Sequence, residues 1–262
     1  NCVGMKTLKL GDKFKIGVYI SEMFYGMASL NTLELGAGFS GRPIVANRVF
    51  YNCASLTELD LSGRLDTSRT TDMEGMFDNC NELRTLNLGD NFYVSNARSW
   101  KNMFARCRQL TTINGKIRLG EENNVTTAEN MFGEGYVLTS VSFEVPAAGA
   151  SFPKLATMKE MFGSCHDLTE MEMDNWSLPN LSNTTCMFRG CSDLATIRLN
   201  WTGLTADADG FTAANMFYAV PQRAVLTLSL TDGSGNEATD VQTAVQSAFD
   251  NRSNMMQVQF LE

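Results

Sequence analysis

Met76-Phe77-Asp78-Asn79-Cys80-Asn81-Glu82-Leu83-Arg84-Thr85-Leu86-Asn87-Leu88 decides the fold, because its key letters return along the chain. A Met-Phe pair is followed by a cysteine and then by L-x-x-L-x-L; Met103-Phe104 opens the same phrase, with Cys107, Leu110 and Ile113. The phenylalanine recurs at Phe24, Phe50, Phe77, Phe104, Phe132, Phe162, Phe188 and Phe217, with gaps of 26, 27, 27, 28, 30, 26 and 29 residues. A period in that range is the signature of a solenoid, in which each repeat adds one coil and contacts only its neighbours.

In such an array the 262 residues count coils, not globular domains. The 21 basic and 29 acidic residues give a net charge of -8. That balance argues against nucleic acid or anionic lipid as the main partner, since both need clustered Lys and Arg. No run of about 18 apolar residues is present to span a membrane, and the first residues lack the charged and apolar regions of a signal peptide. Cys2, Met5, Leu8 and Leu10 carry the same offsets as Cys53, Leu56, Leu59 and Leu61, so the chain is read as starting inside a truncated first repeat. The competing reading, Cys2 as the lipid-bearing cysteine of an exported lipoprotein, leaves the phase of three further apolar residues unexplained.

Within each repeat the last two apolar positions of L-x-x-L-x-L alternate with polar residues, as in Leu33 and Leu35 or Leu59 and Leu61, which predicts a half-buried strand. Later versions keep the apolar character with other shapes: Leu138, Val141, Phe143, then Leu168, Met171, Met173, then Leu194, Ile197, Leu199. One strand per coil, separated by a long connection, pairs in parallel through right-handed crossovers. The segment before Met-Phe is predicted as a short helix, because Thr71-x-x-Glu74 and Thr126-x-x-Glu129 have capping-box spacing. Ile20, Met73, Trp100 and Met158, four residues before a phenylalanine, would share its inward face. The phenylalanines are then expected to stack as an interior column.

From Ala224 the pattern changes, dividing the chain into 1–223, the solenoid, and 224–262, a strand-helix-strand cap. Val225 to Leu230 reads as a strand, Thr231-Asp232-Gly233-Ser234-Gly235 as a turn, and Val241, Val245 and Phe249 as one face of a helix opened by Thr239-x-x-Gln242. A last strand carries Met256, Val258 and Phe260 on one side. Covering the open end of a solenoid prevents end-to-end association.

Six of the seven cysteines, Cys2, Cys53, Cys80, Cys107, Cys165 and Cys191, hold one repeat position. Stacked in a line, they suit a ladder of buried free thiols better than a metal site, which needs converging ligands, or disulfides, which need closer beta carbons. Cys186, two before Phe188, is the candidate accessible thiol. The single histidine, His166, follows Cys165, but adjacent residues rarely face each other, so it reads as a surface residue. On the outward strand face two rungs hold paired acids: Glu58 with Asp60, and Glu170 with Glu172 and Asp174. Such acids can act as general acid and base or hold calcium, yet a solvated acidic face is the plainer reading, since no basic or aromatic group visibly completes a site. Reviving catalysis requires a deep cleft holding Glu170, Glu172 and Asp174 with a basic neighbour. Asp207-x-Asp209-Gly210 and Asp232-Gly233 read as turns, and Trp176 and Trp201 as repeat core. No catalytic residue, metal or cofactor is predicted.

The phrase from Met76 to Leu88, with Leu59-Asp60-Leu61-Ser62 through Asp66-Thr67-Ser68 to Thr71-Asp72-Met73, resembles the BspA-type leucine-rich repeat of bacterial surface proteins. The resemblance covers residues 1 to about 223 and lapses at Met27, Gly135 and Val220, where cysteine is absent, and around Asn114-Gly115. It implies an α/β solenoid: a leucine-rich-repeat-like right-handed coil with one parallel β-sheet and short helices opposite, of about nine repeats of 26–30 residues. It further implies a secreted, monomeric, non-enzymatic adhesion module at the bacterial cell surface. Its partner would be a protein ligand, such as a host extracellular matrix or serum protein or a neighbouring-cell protein; the residue pattern places the contact on the exposed sheet face, at Glu58, Asp60, Glu170, Glu172 and Asp174, or on the variable loops beside it. The alternatives are a structural spacer or carbohydrate-binding stalk, and a glycan-cleaving enzyme using one acidic rung.

Overall fold

The computed structural model describes residues 2–205 and 210–252. Its strands are β1 (Thr7–Leu10), β2 (Thr32–Leu35), β3 (Glu58–Asp60), β4 (Thr85–Gly89), β5 (Thr112–Gly115), β6 (Ile117–Arg118), β7 (Phe143–Glu144), β8 (Ala150–Ser151), β9 (Glu170–Ser177), β10 (Thr196–Leu204) and β11 (Val225–Asp232), followed by helix α1 (Thr239–Asp250). All ladders between these strands are parallel, and their registers follow the repeat phase: Leu8 lies against Leu33, Leu59 against Leu86, and Ile197 against Met171 and Leu226. The chain is a parallel β-solenoid of about nine turns.

The phenylalanine column is the spine of the core. All eight rings are buried. From Phe24 to Phe217 each stacks on the next at centroid spacings of 5.1 to 5.7 Å, with interplanar angles of 2° to 14°. Each ring contributes about 2 to 3 kcal/mol by burial, with about 0.5 to 1.5 kcal/mol more from ring contact. Phe249 of α1 meets Phe217 edge-on at 5.2 Å and 88°, and the helix buries Val241 and Val245 beside it. No side-chain cap opens that helix, whose N-cap is Ala238; Gln242 instead donates to Glu237.

The predicted short helices are replaced by stacked turns. Every second N–H in the Met-Phe segment donates to the next coil: those of Arg48, Phe50 and Asn52 reach the carbonyls of Glu74, Met76 and Asp78 at 2.8 to 2.9 Å. The N–H groups between them close turns within the coil, as Tyr51 to Arg48 and Cys53 to Phe50. An α-helix uses its N–H groups internally, so a segment that also pairs with its neighbour has to abandon the helix. Left-handed residues at fixed places make the alternation possible: Glu22, Arg48, Gly75, Asn102, Asn130, Glu160, Cys186 and Asn215, each two before a spine phenylalanine, have φ between 52° and 59°. The capping-box hydroxyls are redirected too, Thr71 Oγ1 donating to Ile44 O at 3.2 Å and Thr126 Oγ1 to Arg98 O at 3.0 Å, both one coil back.

The strand side is less regular, and the single sheet expected from the repeat is divided into β1-β2, β3-β4-β5, β6-β7 and β8-β9-β10-β11. The middle break follows from extra residues. Gly89 and Gly115 form a register shift, and the Pro146–Gly149 turn, closed by Gly149 N to Pro146 O at 2.8 Å, lengthens the next coil. Consequently Ser140 to Ser142, in phase with the strands on either side, form no strand.

Candidate functional site

Outward side chains of the strands form rows across the coils, fixed by the parallel registers. One row runs Glu58, Thr85, Thr112 and another Glu170, Thr196, Val225; beside them run Asp60, Asn87, Asn114 and Glu172, Arg198, Thr227. The two acidic rungs therefore lie on different sheets, β3 in one and β9 in the other, with β4, β5 and the strand-poor coil between them. The fold does not bring Glu58 and Asp60 together with Glu170, Glu172 and Asp174.

Asp60 is used locally. Its Oδ1 accepts from Ser62 Oγ at 2.6 Å and Ser62 N at 3.0 Å, and the hydroxyl hydrogen bond leads the causes that lower its pKa. Glu58 and Glu170 are exposed. Glu172 and Asp174 are bridged by Arg198, whose Nη2 lies 2.8 Å from Glu172 Oε2 and 2.7 Å from Asp174 Oδ2. The hydrogen bond to Asp174, with the negative charges of Asp174 and Glu172, raises the pKa of Arg198. Arg198 was missed in the sequence reading, although counting one repeat forward from Glu172 reaches it.

The acids of β9 flank an open groove of about 390 Å³ at the strand-poor coil, lined by Ser140, Val141, Phe143, Val145, Glu170 and Glu172 among others. The arrangement offers carboxylates, hydroxyls and apolar carbons to a ligand. It has the basic neighbour that the enzyme reading requires, but that arginine pairs with two of the three acids, and the groove is no deep cleft.

Elsewhere charges are spent between coils. Arg108 meets Glu134 at 2.6 Å, Lys101 meets Glu129 at 3.1 Å and Arg118 meets Glu144 at 2.9 Å. Arg106 meets Asp78 at 2.6 Å; that carboxylate is buried, its Oδ1 has no hydrogen-bond partner, and burial raises its pKa to about 6 against the pull of Arg106.

The cysteine row is a ladder of free thiols. Cys53, Cys80, Cys107, Cys165 and Cys191 are buried, and each donates at 3.1 to 3.3 Å to a spine phenylalanine carbonyl of the preceding coil; Cys2 is exposed. Burial pushes Cys53 and Cys165 up to about 12. Cys186, expected to be accessible, is buried: it occupies a left-handed turn position beside Arg189, and burial raises its pKa. His166 is exposed and stacks on Tyr136 at 5.0 Å, while the Cys165 thiol points to Phe132 O. Trp176 and Trp201 are core residues. Asp232 caps its own turn, accepting from Ser234 N and Asn236 N. Asp207 and Asp209, and the strand expected at Met256, Val258 and Phe260, lie outside the described residues. Among the described residues no helix is long and apolar enough to cross a membrane.

The sequence model of a family described as "Mycoplasma protein of unknown function, DUF285" matches residues 18–142 and 151–222. The stretch between these matches is the lengthened coil beside the groove. A solved structure of a leucine rich cell surface protein from Faecalibacterium prausnitzii A2-165 is similar at 18% identity, covering 92% of this chain and 82% of that one. Its TM-score of 0.37 is too low for the likeness to bear on fold or role. No curated protein matches the chain.

Proposed function

The chain belongs to that family, and because the family's description names no activity, we propose from the geometry a non-enzymatic bacterial cell-surface binding module that engages a host or neighbouring-cell protein through its repeat surface. One observation carries this reading: the strands set outward side chains in registered rows on a scaffold whose backbone is bonded coil to coil. A surface held in that way presents many contacts with little ordering cost on binding. The BspA-type reading of the motif agrees with it, and the proposal takes the protein to be monomeric and extracellular, with 1–223 as the solenoid and 224–262 as its cap. The contacts of Arg198 with both Glu172 and Asp174 favour binding over glycan cleavage, since a general acid must hold its proton and a neighbouring guanidinium favours the ionised carboxylate.

The test is a pull-down from host extracellular matrix and serum proteins, comparing the chain with a variant neutralised at Glu58, Asp60, Glu170 and Glu172. Loss of the captured protein at low salt is expected. Undiminished capture retires the acidic sheet face as the contact.

A further inference from the structure

We infer that the groove beside β9 is a docking site for an extended basic peptide that adds as a strand to the edge of β9, an inference that rests on the binding role proposed above. The first support is an unused strand edge. β9 pairs with β10 along its length, but on its other side it pairs with β8 only at Trp176 and Ser177. The stretch from Glu170 to Asp174 thus faces the strand-poor coil without a ladder, and an open edge is a template for a further strand.

Secondly, the core is thin here. In regular coils the residues at this phase are sealed, as with Leu59, Leu86, Met171 and Ile197. Among the described residues away from the two ends, the hydrophobics left partly buried against the core are Ile113, Val141, Phe143 and Val145. Three of these line the groove, so an apolar side chain laid against them would complete burial that the chain leaves unfinished.

Charge selects the occupant. The edge carries Glu170, Glu172 and Asp174 with Arg198 as the one paired cation, and Asp174 Oδ1 is buried without a hydrogen-bond partner. From Glu170 to Asp174 the open edge spans about 13 Å, the distance between the first and last of five extended residues. Glu170 and Glu172 project from the same face, two residues apart. A strand alternating Lys or Arg with Val or Ile would place its cations beside these carboxylates and its aliphatic groups on Val141, Phe143 and Val145.

The probe is a fluorescent, end-blocked Lys-Val-Lys-Val-Lys peptide, followed by anisotropy on the whole chain at low and high salt, with Glu-Val-Glu-Val-Glu for comparison. Saturable binding of the basic peptide alone is expected. Glu170→Lys with Glu172→Lys should weaken it about tenfold or more, whereas the same charge change at Glu82 and Asp90, exposed acids away from the groove, should shift it only slightly. Arg198→Ala should tighten it several-fold by releasing two carboxylates. Equal weakening by both double variants, weaker binding by Arg198→Ala, or undiminished binding of a peptide N-methylated at alternate amides would overturn strand addition at this edge. If the peptide does not bind while the pull-down succeeds, the groove is refuted and the adhesive role stands. If the peptide binds as described and no protein is captured, the groove stands and the role is refuted.

Discussion

The turn side and the strand side of the same coils behave differently. From Phe24 to Phe217 the turn side is unbroken, with one ring spacing, left-handed residues two before and two after each ring, and one hydrogen-bond pattern, while the strand side is divided into four sheets. Both sides belong to repeats whose lengths vary, so the variation has been absorbed on one side alone. The turn segment has no slack, because its N–H groups alternate between closing a turn and reaching the next coil. A strand edge can bulge or lose its partner while its polar groups turn to water. The difference teaches that regularity in this molecule is enforced by backbone bonding at the turns, and that departures which create a groove are tolerated opposite them.

Insertion is the harshest way to break the comparison. A Gly-Ser pair added between Ala147 and Ala148 lengthens an existing loop and should change stability by less than about 1 kcal/mol. The same pair between Phe132 and Gly133 throws the turn ladder out of phase, and should cost more than about 4 kcal/mol or abolish cooperative unfolding. Urea denaturation followed by circular dichroism measures both; equal tolerance would show that the turn side has slack after all.

A smaller test truncates one ring on each side. Phe132→Ala removes a spine ring stacked on both faces and should cost about 3 to 5 kcal/mol. Phe143→Ala, in the partly buried coil at the groove, should cost about half as much or less. The urea midpoints would have to coincide for the two environments to count as equivalent.

Asp78 gives the turn side a pH dependence. Its carboxyl titrates near 6 in the folded chain and near 3.8 when unfolded, so the folded state holds the proton more tightly in between. Stability from this group is complete below the lower value and is lost as pH rises through the upper one, by about 2 to 3 kcal/mol. Asp78→Asn should remove that decline between pH 4 and 6, leaving a flatter profile; an unchanged slope in thermal melts would assign the titration elsewhere.

The mildest comparison concerns left-handed residues. Asn130, at φ 55°, donates to Asn102 Oδ1 at 2.8 Å. Asn130→Ala should cost about 1 to 2 kcal/mol, with Asn130→Gly recovering most of it, whereas exposed Ser142→Ala should change almost nothing. Thermal midpoints of the three variants decide it.

Much of this was legible in the residues. Met-Phe, cysteine and leucine positions recur in phase because each occupies the same place in the coil, and Phe77 and Cys80 are buried for the reasons their spacing implied. The helix reading failed because Thr71-x-x-Glu74 has the letters of a cap while its hydroxyl bonds to the preceding coil. Of the candidate site, the acids could be placed on the outward face, but not the separation of Glu58 from Glu170, nor the engagement of Glu172 and Asp174 by Arg198.

By itself the amino-acid order determined the period, the aromatic spine and the thiol row, since burial repeats wherever the same side chain meets the same environment. The tertiary structure alone decided that the Met-Phe segments are turns bonded between coils, that one arginine clasps two acids a repeat away, and that the sheet opens beside β9. The reason is physical: each depends on where backbone donors and side chains of different coils meet, and that register shifts whenever a coil gains residues.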